Sequence, residues 1–323
     1  MEFVSDIHLI SGLVGTRPLQ LYFLNGTKRG ALLDTGCAPD PERLIFPYLR
    51  EIGLEASDID IVINTHCDLD HCGGNHAVKN ANPQAQITCG EADRPLIENP
   101  QTMWDLRYNA YEAEHGIHYD EAGREAIFDS LGSSQPVDWT WTGGETLDLG
   151  GGWRIEIHRT AGHSRGHLAI FDPRSGTMLT GDAVQGSVYL DKDGAPALCP
   201  TYLQVNSYLK TIDYLESLPI KLLAGCHWPL KREGEVREFL EESREFVERA
   251  DELILARLAC CPHGASLREL IDSVGPELGS WPAAANLELV YALAGHLEHL
   301  VCAGKVTTLS GTPPLRYTLR SRS

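Results

Sequence analysis

Ten consecutive residues decide how this sequence is interpreted: Thr65-His66-Cys67-Asp68-Leu69-Asp70-His71-Cys72-Gly73-Gly74. Four of them, His66, Asp68, Asp70 and His71, carry imidazole or carboxylate side chains within a span of six residues. Neutral imidazole and carboxylate are the ligands that zinc and harder divalent cations prefer in proteins. A mostly apolar stretch, typical of a buried strand, directly precedes the run. The run therefore predicts a metal site, with a chemical role, at the end of a strand.

The composition is that of a globular protein that folds in water. Of the 323 residues, 42% are hydrophobic and 22% are charged, which is ordinary for such a protein. No apolar stretch approaches the ~20 residues that a membrane helix needs, and the N-terminus lacks the basic and apolar regions of a signal peptide. Nine cysteines at scattered spacings fit reduced thiols better than a disulfide framework. We therefore expect a cytoplasmic protein with no membrane contact.

The net charge of −18 argues against a nucleic-acid partner. Residues 1–230 contain 16 basic and 31 acidic side chains, which is a balance of −15, and no basic stripe. Such a surface repels a phosphate backbone. We expect a small-molecule substrate, and a homodimer remains an open arrangement.

Several other apolar stretches end in a small or polar residue followed by Asp or His. The pattern occurs at Asp34, His163, Asp182 and His227. Side chains at the carboxyl ends of neighbouring strands converge on one edge of a sheet, where α/β proteins place their sites. The pattern predicts that these residues lie close to the opening run.

Residues 91–142 depart from this pattern and are predicted to be a helical insert. Trp104, Tyr108 and Tyr111 recur at helical spacing and would share one face. Core packing explains such a face, and a lid over a substrate pocket is the alternative.

The last part of the chain is predicted to form a separate module. Residues 231–258 are typical of a charged connecting helix, and residues 259–323 of a winged-helix-like domain with a terminal hairpin. His296 and His299 stand three residues apart near the end of a helix, which favours a solvated face. Because the winged-helix-like domain carries no net charge, we expect it to serve in packing or dimerisation and not in nucleic-acid binding.

In their order along the chain, these motifs resemble those of the metallo-β-lactamase superfamily. The opening run matches the family motif His-x-His-x-Asp-His, and the later matches are Gly162-His163, Gly181-Asp182 and Gly225-Cys226-His227. The resemblance covers about residues 1–230. It implies an α+β fold, a four-layer αβ/βα sandwich, with two metal ions at one edge.

The resemblance also implies roles for individual residues. The implied metal ligands are His66, Asp68 and His163 for a first ion, Asp70, His71 and His227 for a second, and Asp182 as the bridge. Asp34 would accept a hydrogen bond from a ligand histidine and fix its tautomer. Apart from the resemblance, His167 is interpreted as a structural histidine that forms hydrogen bonds near the ligands without binding metal. Asp70 would also orient the nucleophile and carry a proton.

Asp68 is the departure from the common family motif, which has His at this position. A carboxylate adds a negative charge and is a harder ligand than imidazole. Zinc remains the expected metal, and iron or manganese are alternatives because of Asp68. The arrangement of a catalytic domain, a charged helix and a winged helix also resembles the β-lactamase-like 2 branch of the superfamily, whose members include a ribonuclease.

These inferences predict a dinuclear metal-dependent hydrolase. Metal-bound hydroxide would attack an ester, thioester or lactone of a small molecule. A metal-dependent ribonuclease is the first alternative, suggested by the C-terminal module. A di-iron redox enzyme, suggested by Asp68, ranks below it, because the chain has no flavodoxin-like domain and no rubredoxin-type cysteine pairs.

Overall fold

The computed structural model describes residues 1–309, 311 and 313–320. Ser310, Thr312 and residues 321–323 of the predicted C-terminal module lie outside the described residues. Within them, no helix is both long enough and apolar enough to cross a membrane.

The strands lie mainly in the first 232 residues. In chain order they are β1 Glu2–Val4, β2 Ile7–Val14, β3 Arg17–Asn25, β4 Gly30–Leu33, β5 Ile61–Asn64, β6 Gln86–Gly90, β7 Trp139–Trp141, β8 Thr146–Gly150, β9 Trp153–Arg159, β10 Leu168–Asp172, β11 Thr177–Gly181, β12 Tyr189–Leu190, β13 Pro196–Leu198, β14 Leu222–Gly225, β15 Lys231–Arg232, β16 Ala265–Ser266, β17 Val306–Leu309 and β18 Arg316–Leu319.

The helices are short before residue 200 and longer after it. They are α1 Phe46–Glu51, α2 Leu69–Cys72, α3 Asn75–Ala81, α4 Arg94–Glu98, α5 Pro100–Met103, α6 Glu112–His115, α7 Glu121–Leu131, α8 Val205–Glu216, α9 Gly234–Ala259, α10 Leu267–Leu278 and α11 Leu289–Cys302. Short 3-10 or π-helical segments lie at Pro41–Ile45, Ala56–Asp58, Glu91–Asp93, Trp104–Tyr108 and Ala283–Glu288.

Two sheets form the centre of the protein. The first has seven strands in the order β1 to β7, of which β4 to β7 are parallel to one another. The second has six strands in the order β15-β14-β11-β10-β9-β8, with one parallel pair, β11 and β14. Because parallel neighbours end at the same edge, β4, β5, β11 and β14 each deliver the residue after the strand to that edge.

The side chains of the strands alternate between two cores. In β4 and β5, Leu33, Ile61 and Ile63 pack into a cluster shared with the second sheet, whereas Leu32 and Val62 pack toward helices. Such alternation follows from the period-two geometry of a strand. Helices therefore cover the outer face of each sheet, and the expected α+β four-layer sandwich is confirmed.

The predicted insert is helical over most of its length. It contains α4 to α7, but Trp139–Trp141 forms β7, the last strand of the first sheet. The predicted shared helix face is wrong, because the helical segment at Trp104–Tyr108 ends before α6 begins at Glu112.

The C-terminal elements pack closely against the part of the chain that forms the two sheets. β15 pairs with β14, so the second sheet reaches just beyond the predicted boundary at residue 230. The carboxyl-terminal strands form a three-stranded sheet in the order β16-β18-β17. The predicted solvated face at His296 is wrong: the side chain is fully buried, with Nε2 at 2.7 Å from Tyr202 Oη and Nδ1 at 2.7 Å from Asp251 Oδ1.

Gly295 of α11 provides a test of this packing. A Cβ placed on Gly295 would lie 2.0 Å from the carbonyl oxygen of Leu203, whose amide donates to Gly162 O beside His163. We expect Gly295→Ala to lower the free energy of unfolding by about 1–3 kcal/mol, the range for overpacking. Thermal or urea unfolding measures this loss.

Gly234→Ala is the matched control, because a Cβ there has open space. It also replaces a glycine within a helix, so the control variant should be as stable as the parent or slightly more stable. Equal stability of the two variants would contradict close packing of α11 on the catalytic part.

Candidate metal centre

The predicted ligands meet at one edge of the two sheets. β5 ends one residue before Thr65-His66, and α2 begins directly after Asp68 and carries Asp70 and His71. In the second sheet, Gly181 and Gly225 are register partners, and Asp182 and His227 follow them. Side chains so close in sequence can converge on one site because the chain passes from a strand into a helix within the opening run.

Four buried imidazoles point the same nitrogen into the centre. Each Nδ1 atom has a partner, which leaves Nε2 facing inward. The partners are Thr65 Oγ1 for His66 at 3.0 Å, Asp34 Oδ2 for His71 at 2.8 Å, Gln185 Nε2 for His163 at 2.8 Å and the Pro18 carbonyl for His227 at 2.6 Å. Such partners fix the ring orientation of metal-binding histidines.

One group of side chains has the geometry of a metal site around His71. The ligand atoms of His71, Asp182, Cys226 and His227 all lie within 4.8 Å of one another. Asp70 belongs with them, because its Oδ2 lies 3.4 Å from His227 Nε2. Asp182 Oδ1 lies 3.7 Å from His71 Nε2, and Oδ2 lies 3.5 Å from His227 Nε2.

Unpaired polar atoms support metal binding at this group. Among the described residues, His71 Nε2 and Asp182 Oδ1 are buried without any hydrogen-bond partner. A buried polar atom without a partner is costly, so such atoms in a folded protein call for a ligand. The donor set of imidazole and carboxylate suits a divalent cation. The residues present therefore fit a metal ion at this group, which we call the His71 group.

The thiol of Cys226 was not among the predicted ligands. Cys226 is buried between His227 and the end of β14, and its sulfur lies within the His71 group. The sequence signal was its place next to a predicted ligand, but neighbouring residues usually point to opposite sides of an extended chain. A thiolate is a soft ligand and favours zinc over manganese.

Asp34 occupies the supporting position that the resemblance implied. Its Oδ1 accepts from the amide of Thr65 at 2.7 Å, and its Oδ2 accepts from Thr65 Oγ1 at 2.8 Å and from His71 Nδ1 at 2.8 Å. The residue has a φ of 60°, a left-handed conformation that is uncommon for an aspartate. The chain thus adopts a strained turn that brings the carboxylate to His71.

A second set of ligand atoms lies around His66, and we call His66, Asp68 and His163 the His66 group. Asp68 Oδ2 lies 2.8 Å from His163 Nε2 and 3.4 Å from His66 Nε2. His66 Nε2 has no hydrogen-bond partner among the described residues. The structure therefore brings together all three residues that the resemblance implied for the first ion.

Arg107 is the main feature of this set that sequence reasoning missed. It lies in the helical insert, is only 5% exposed, and donates to both carboxylate oxygens of Asp68. Burial acts to raise the pKa of Asp68, but Arg107 and the nearby imidazoles hold that pKa well below its usual range. An arginine 39 residues from its partner leaves no local sequence signal.

His167 supports the ligands through ring packing. Its ring stacks on that of His66, with ring centroids 4.8 Å apart and planes 19° apart. Its Nδ1 lies 2.9 Å from Thr160 Oγ1. This stacking restricts the rotation of His66, as expected of a residue that supports the ligands.

A cavity of about 220 Å³ opens above the His71 group. Its walls combine metal-centre residues with residues of the insert and of the C-terminal elements. They are Arg17, Asp68, Leu69, Asp70, Arg107, Tyr108, Tyr119, Ile127, Asp182, Tyr189, Leu198, Thr201, His227, Glu288 and Tyr291.

Of the three predicted pocket aromatics, Tyr108 lines the cavity and donates to Asp68 Oδ1 at 3.1 Å. Trp104 packs in the core against Tyr119 and Phe128, as the favoured interpretation expected, and Tyr111 lines a different cavity, so the pocket alternative is wrong for these two residues.

Residues from the C-terminal elements close one side of this cavity. Tyr119 of the insert contacts both carboxylate oxygens of Glu288, at 3.0 and 2.9 Å, and lies 3.1 Å from Tyr291 Oη. Burial raises the pKa of Glu288. No sequence pattern indicated this contact, because it joins positions about 170 residues apart.

The family model of the metallo-beta-lactamase superfamily matches residues 15–227, which include every predicted ligand. The chain belongs to the metallo-beta-lactamase superfamily. A probable metallo-hydrolase of Mycobacterium tuberculosis is 28% identical over 123 residues, which cover 38% of this chain and 35% of that protein.

A second curated relative, a probable metallo-hydrolase of Bacillus subtilis, is 23% identical over 158 residues, or 47% of this chain and 48% of that protein. The chain thus matches less than half the length of these curated relatives.

Solved structures resemble this chain over almost its whole length. A metallo-beta-lactamase family protein of Thermus thermophilus has a TM-score of 0.73 at 21% identity, with 99% of this chain and 100% of that chain covered. A beta-lactamase domain protein of Burkholderia ambifaria has a TM-score of 0.74 at 18% identity, with 99% and 93% covered. At these identities the likeness shows the fold.

Asp34→Asn tests how the centre is held. The amide side chain of this variant would offer one acceptor oxygen to the three donors that Asp34 binds, which are Thr65 N, Thr65 Oγ1 and His71 Nδ1. Its NH2 group would also face one of these donors, so the ring of His71 would lose its fixed orientation. We expect metal affinity to fall about 10- to 100-fold, measured by competition with a chromogenic chelator.

Asp172→Asn is the control, because Asp172 is equally buried but accepts from Trp153 Nε1 at the far end of β10. This substitution should change stability without changing metal affinity. Unchanged metal affinity in Asp34→Asn would show that Asp34 does not support the metal centre.

Proposed function

We propose that this chain is a metal-dependent hydrolase that cleaves an ester, thioester or lactone of a small molecule. The observation that carries the proposal is the His71 group at the floor of a cavity, with His71 Nε2 and Asp182 Oδ1 buried and unpaired among the described residues. The names of the curated relatives, both probable metallo-hydrolases, support the same class of reaction.

A divalent ion held there would polarise a carbonyl oxygen and lower the pKa of a water molecule, which is the chemistry that this hydrolysis needs. Asp70 lines the cavity and lies beside His227, so its free oxygen is placed to accept a proton from an attacking water. Tyr189 donates to Asp182 Oδ2 at 3.1 Å and so fixes this carboxylate.

The choice of metal follows from the donor set. The two imidazole nitrogens of the His71 group favour zinc, and the thiol of Cys226 strengthens that preference. Iron and manganese remain the alternatives that Asp68 suggested. The dinuclear centre implied by the resemblance also requires an ion at the His66 group, where Asp68 already binds Arg107.

The cavity favours a small substrate over RNA. Its volume of about 220 Å³ is below the usual range for drug-sized ligands. Glu288 and Tyr291 close it on the C-terminal side. Ribonuclease activity remains the alternative, provided that only the end of an RNA strand enters the cavity.

A di-iron redox enzyme has less support. The flavodiiron core of Synechocystis resembles this chain with a TM-score of 0.52 at 16% identity, over 79% of this chain and 62% of that one. That likeness concerns the fold, and it leaves the reaction open.

His71→Ala tests the proposal directly. The substitution removes a central ligand, so we expect bound metal and the hydrolysis of an ester, thioester and lactone panel to fall together, with turnover reduced at least about 100-fold. His299→Ala, on the last turn of α11, is the control. Hydrolysis that persists after complete metal removal would refute the proposal, and cleavage of RNA alone would favour the ribonuclease.

Arg17 indicates what the substrate carries. Its guanidinium lines the cavity 5.8 Å from the ring centroid of Tyr189, and its Nε is buried without a hydrogen-bond partner among the described residues. A guanidinium in this state suits a carboxylate or phosphate group. We therefore propose that the acyl part of the substrate is anionic.

Arg17→Gln should raise KM about 10- to 100-fold for the p-nitrophenyl monoester of glutaric acid, because a charge-assisted hydrogen bond is lost. KM for p-nitrophenyl butyrate should stay the same. Arg50→Gln, which removes an exposed arginine of α1, is the control. Equal effects on both esters would assign Arg17 a structural role.

A further inference from the structure

We propose that Arg107 supplies the cation at the His66 group, so that this chain binds one metal ion, at the His71 group. The relevant observation is the set of donors around Asp68, the residue that departs from the family motif. The inference concerns metal content and is independent of which substrate the enzyme cleaves.

Protein donors use the full acceptor capacity of Asp68. Its Oδ1 accepts from Arg107 Nε and from Tyr108 Oη, the latter at 3.1 Å. Its Oδ2 accepts from Arg107 Nη2 at 2.6 Å and from His163 Nε2 at 2.8 Å. An ionised carboxylate offers about four lone-pair sites, and four donors occupy them. No acceptor site of Asp68 is left for a metal ion.

The tautomer of His163 points to the same conclusion. Thr201 N donates to Gln185 Oε1 at 2.8 Å, so the amide nitrogen of Gln185 faces His163 Nδ1, also at 2.8 Å. Nδ1 must therefore accept, and the proton of the neutral ring lies on Nε2. This N–H donates to Asp68 Oδ2 at 2.8 Å, a shorter contact than the 3.3 Å between Nε2 and Arg107 Nη2. A metal bond would instead need a lone pair on Nε2.

Geometry keeps any ion at the His66 group close to the guanidinium. Arg107 Nη2 lies 2.6 Å from Asp68 Oδ2 and 3.3 Å from His163 Nε2, and these two atoms lie 2.8 Å apart. An ion bonded to both at about 2.1 Å can lie at most about 4 Å from Nη2, by triangulation of these distances. The ion and the guanidinium would then have to share Asp68, the one carboxylate of the His66 group, which leaves their mutual repulsion poorly compensated.

The two groups differ in the state of their ligand atoms. In the His71 group, His71 Nε2 and Asp182 Oδ1 have no partners among the described residues, and an ion would satisfy both. In the His66 group, only His66 Nε2 lacks a partner within the part of the chain that the structure describes. One imidazole does not hold a divalent ion, so this position is filled by the side chain of Arg107.

The experiment counts metal ions in the full chain. The protein is stripped with chelator, reloaded with excess Zn2+, dialysed, and measured by elemental analysis and by isothermal titration. We expect one tightly bound zinc per chain in the parent. His227→Ala should lose this ion, and His163→Ala should retain it.

Substitutions at the His66 group should create a second metal-binding site. Arg107→Met combined with Asp68→His replaces the ion pair by a third imidazole, and we expect two zinc ions per chain. Arg124→Met is the control, because it removes a different arginine of the insert, one that is half-buried and lies over the ring of Phe128, and one ion should remain.

Circular dichroism establishes that each variant is folded. A parent chain that holds two ions tightly, or none, overturns the proposal whatever the variants do. Loss of the ion in a folded His163→Ala variant would do so as well.

Discussion

The structure depends on one constraint: each buried imidazole at the centre must have a hydrogen-bond partner at Nδ1 so that Nε2 faces inward. These hydrogen-bond partners come from widely separated parts of the chain, including Asp34 after β4, Gln185 after β11 and Pro18 in β3. Desolvated rings would otherwise rotate to find partners elsewhere. The two sheets are the scaffold that holds these partners at the correct distance.

The same constraint separates the two halves of the centre. At His71 and His227, the partner at Nδ1 is an acceptor, so Nε2 keeps the lone pair that a metal needs. At His163 the partner is a donor, and the inward nitrogen carries a proton. A change of one hydrogen-bond direction thus distinguishes a ligand from a donor, although both are histidines at family motif positions.

Much of the fold and the ligand set could be predicted from the sequence, because both follow from local patterns. Short apolar runs ending in Asp or His indicate strands and the edge where they meet, and Asp34 and Asp182 lie where those patterns placed them. Arg107, Cys226 and the contact between Tyr119 and Glu288 were beyond this reasoning. Their roles arise from packing between distant segments, for which a single sequence carries no periodic signal.

Burial explains the other differences. His296 was predicted to lie on a solvated face because His299 follows three residues later near the end of the helix, yet its ring is buried against Tyr202 and Asp251. The C-terminal elements were expected to form a separate module, but Glu288 and Tyr291 complete a wall of the cavity. The cavity is thus lined by two parts of the chain that sequence patterns describe separately.

Arg17 and Pro18 are neighbours, and that adjacency limits how the enzyme can change during evolution. The carbonyl of Pro18 orients His227, while the side chain before it faces the cavity. Slippage of this strand by a single residue would reverse both. New substrate preferences are therefore easier to acquire at Tyr119 and Ile127 of the insert, which line the same cavity and hold none of the ligand side chains.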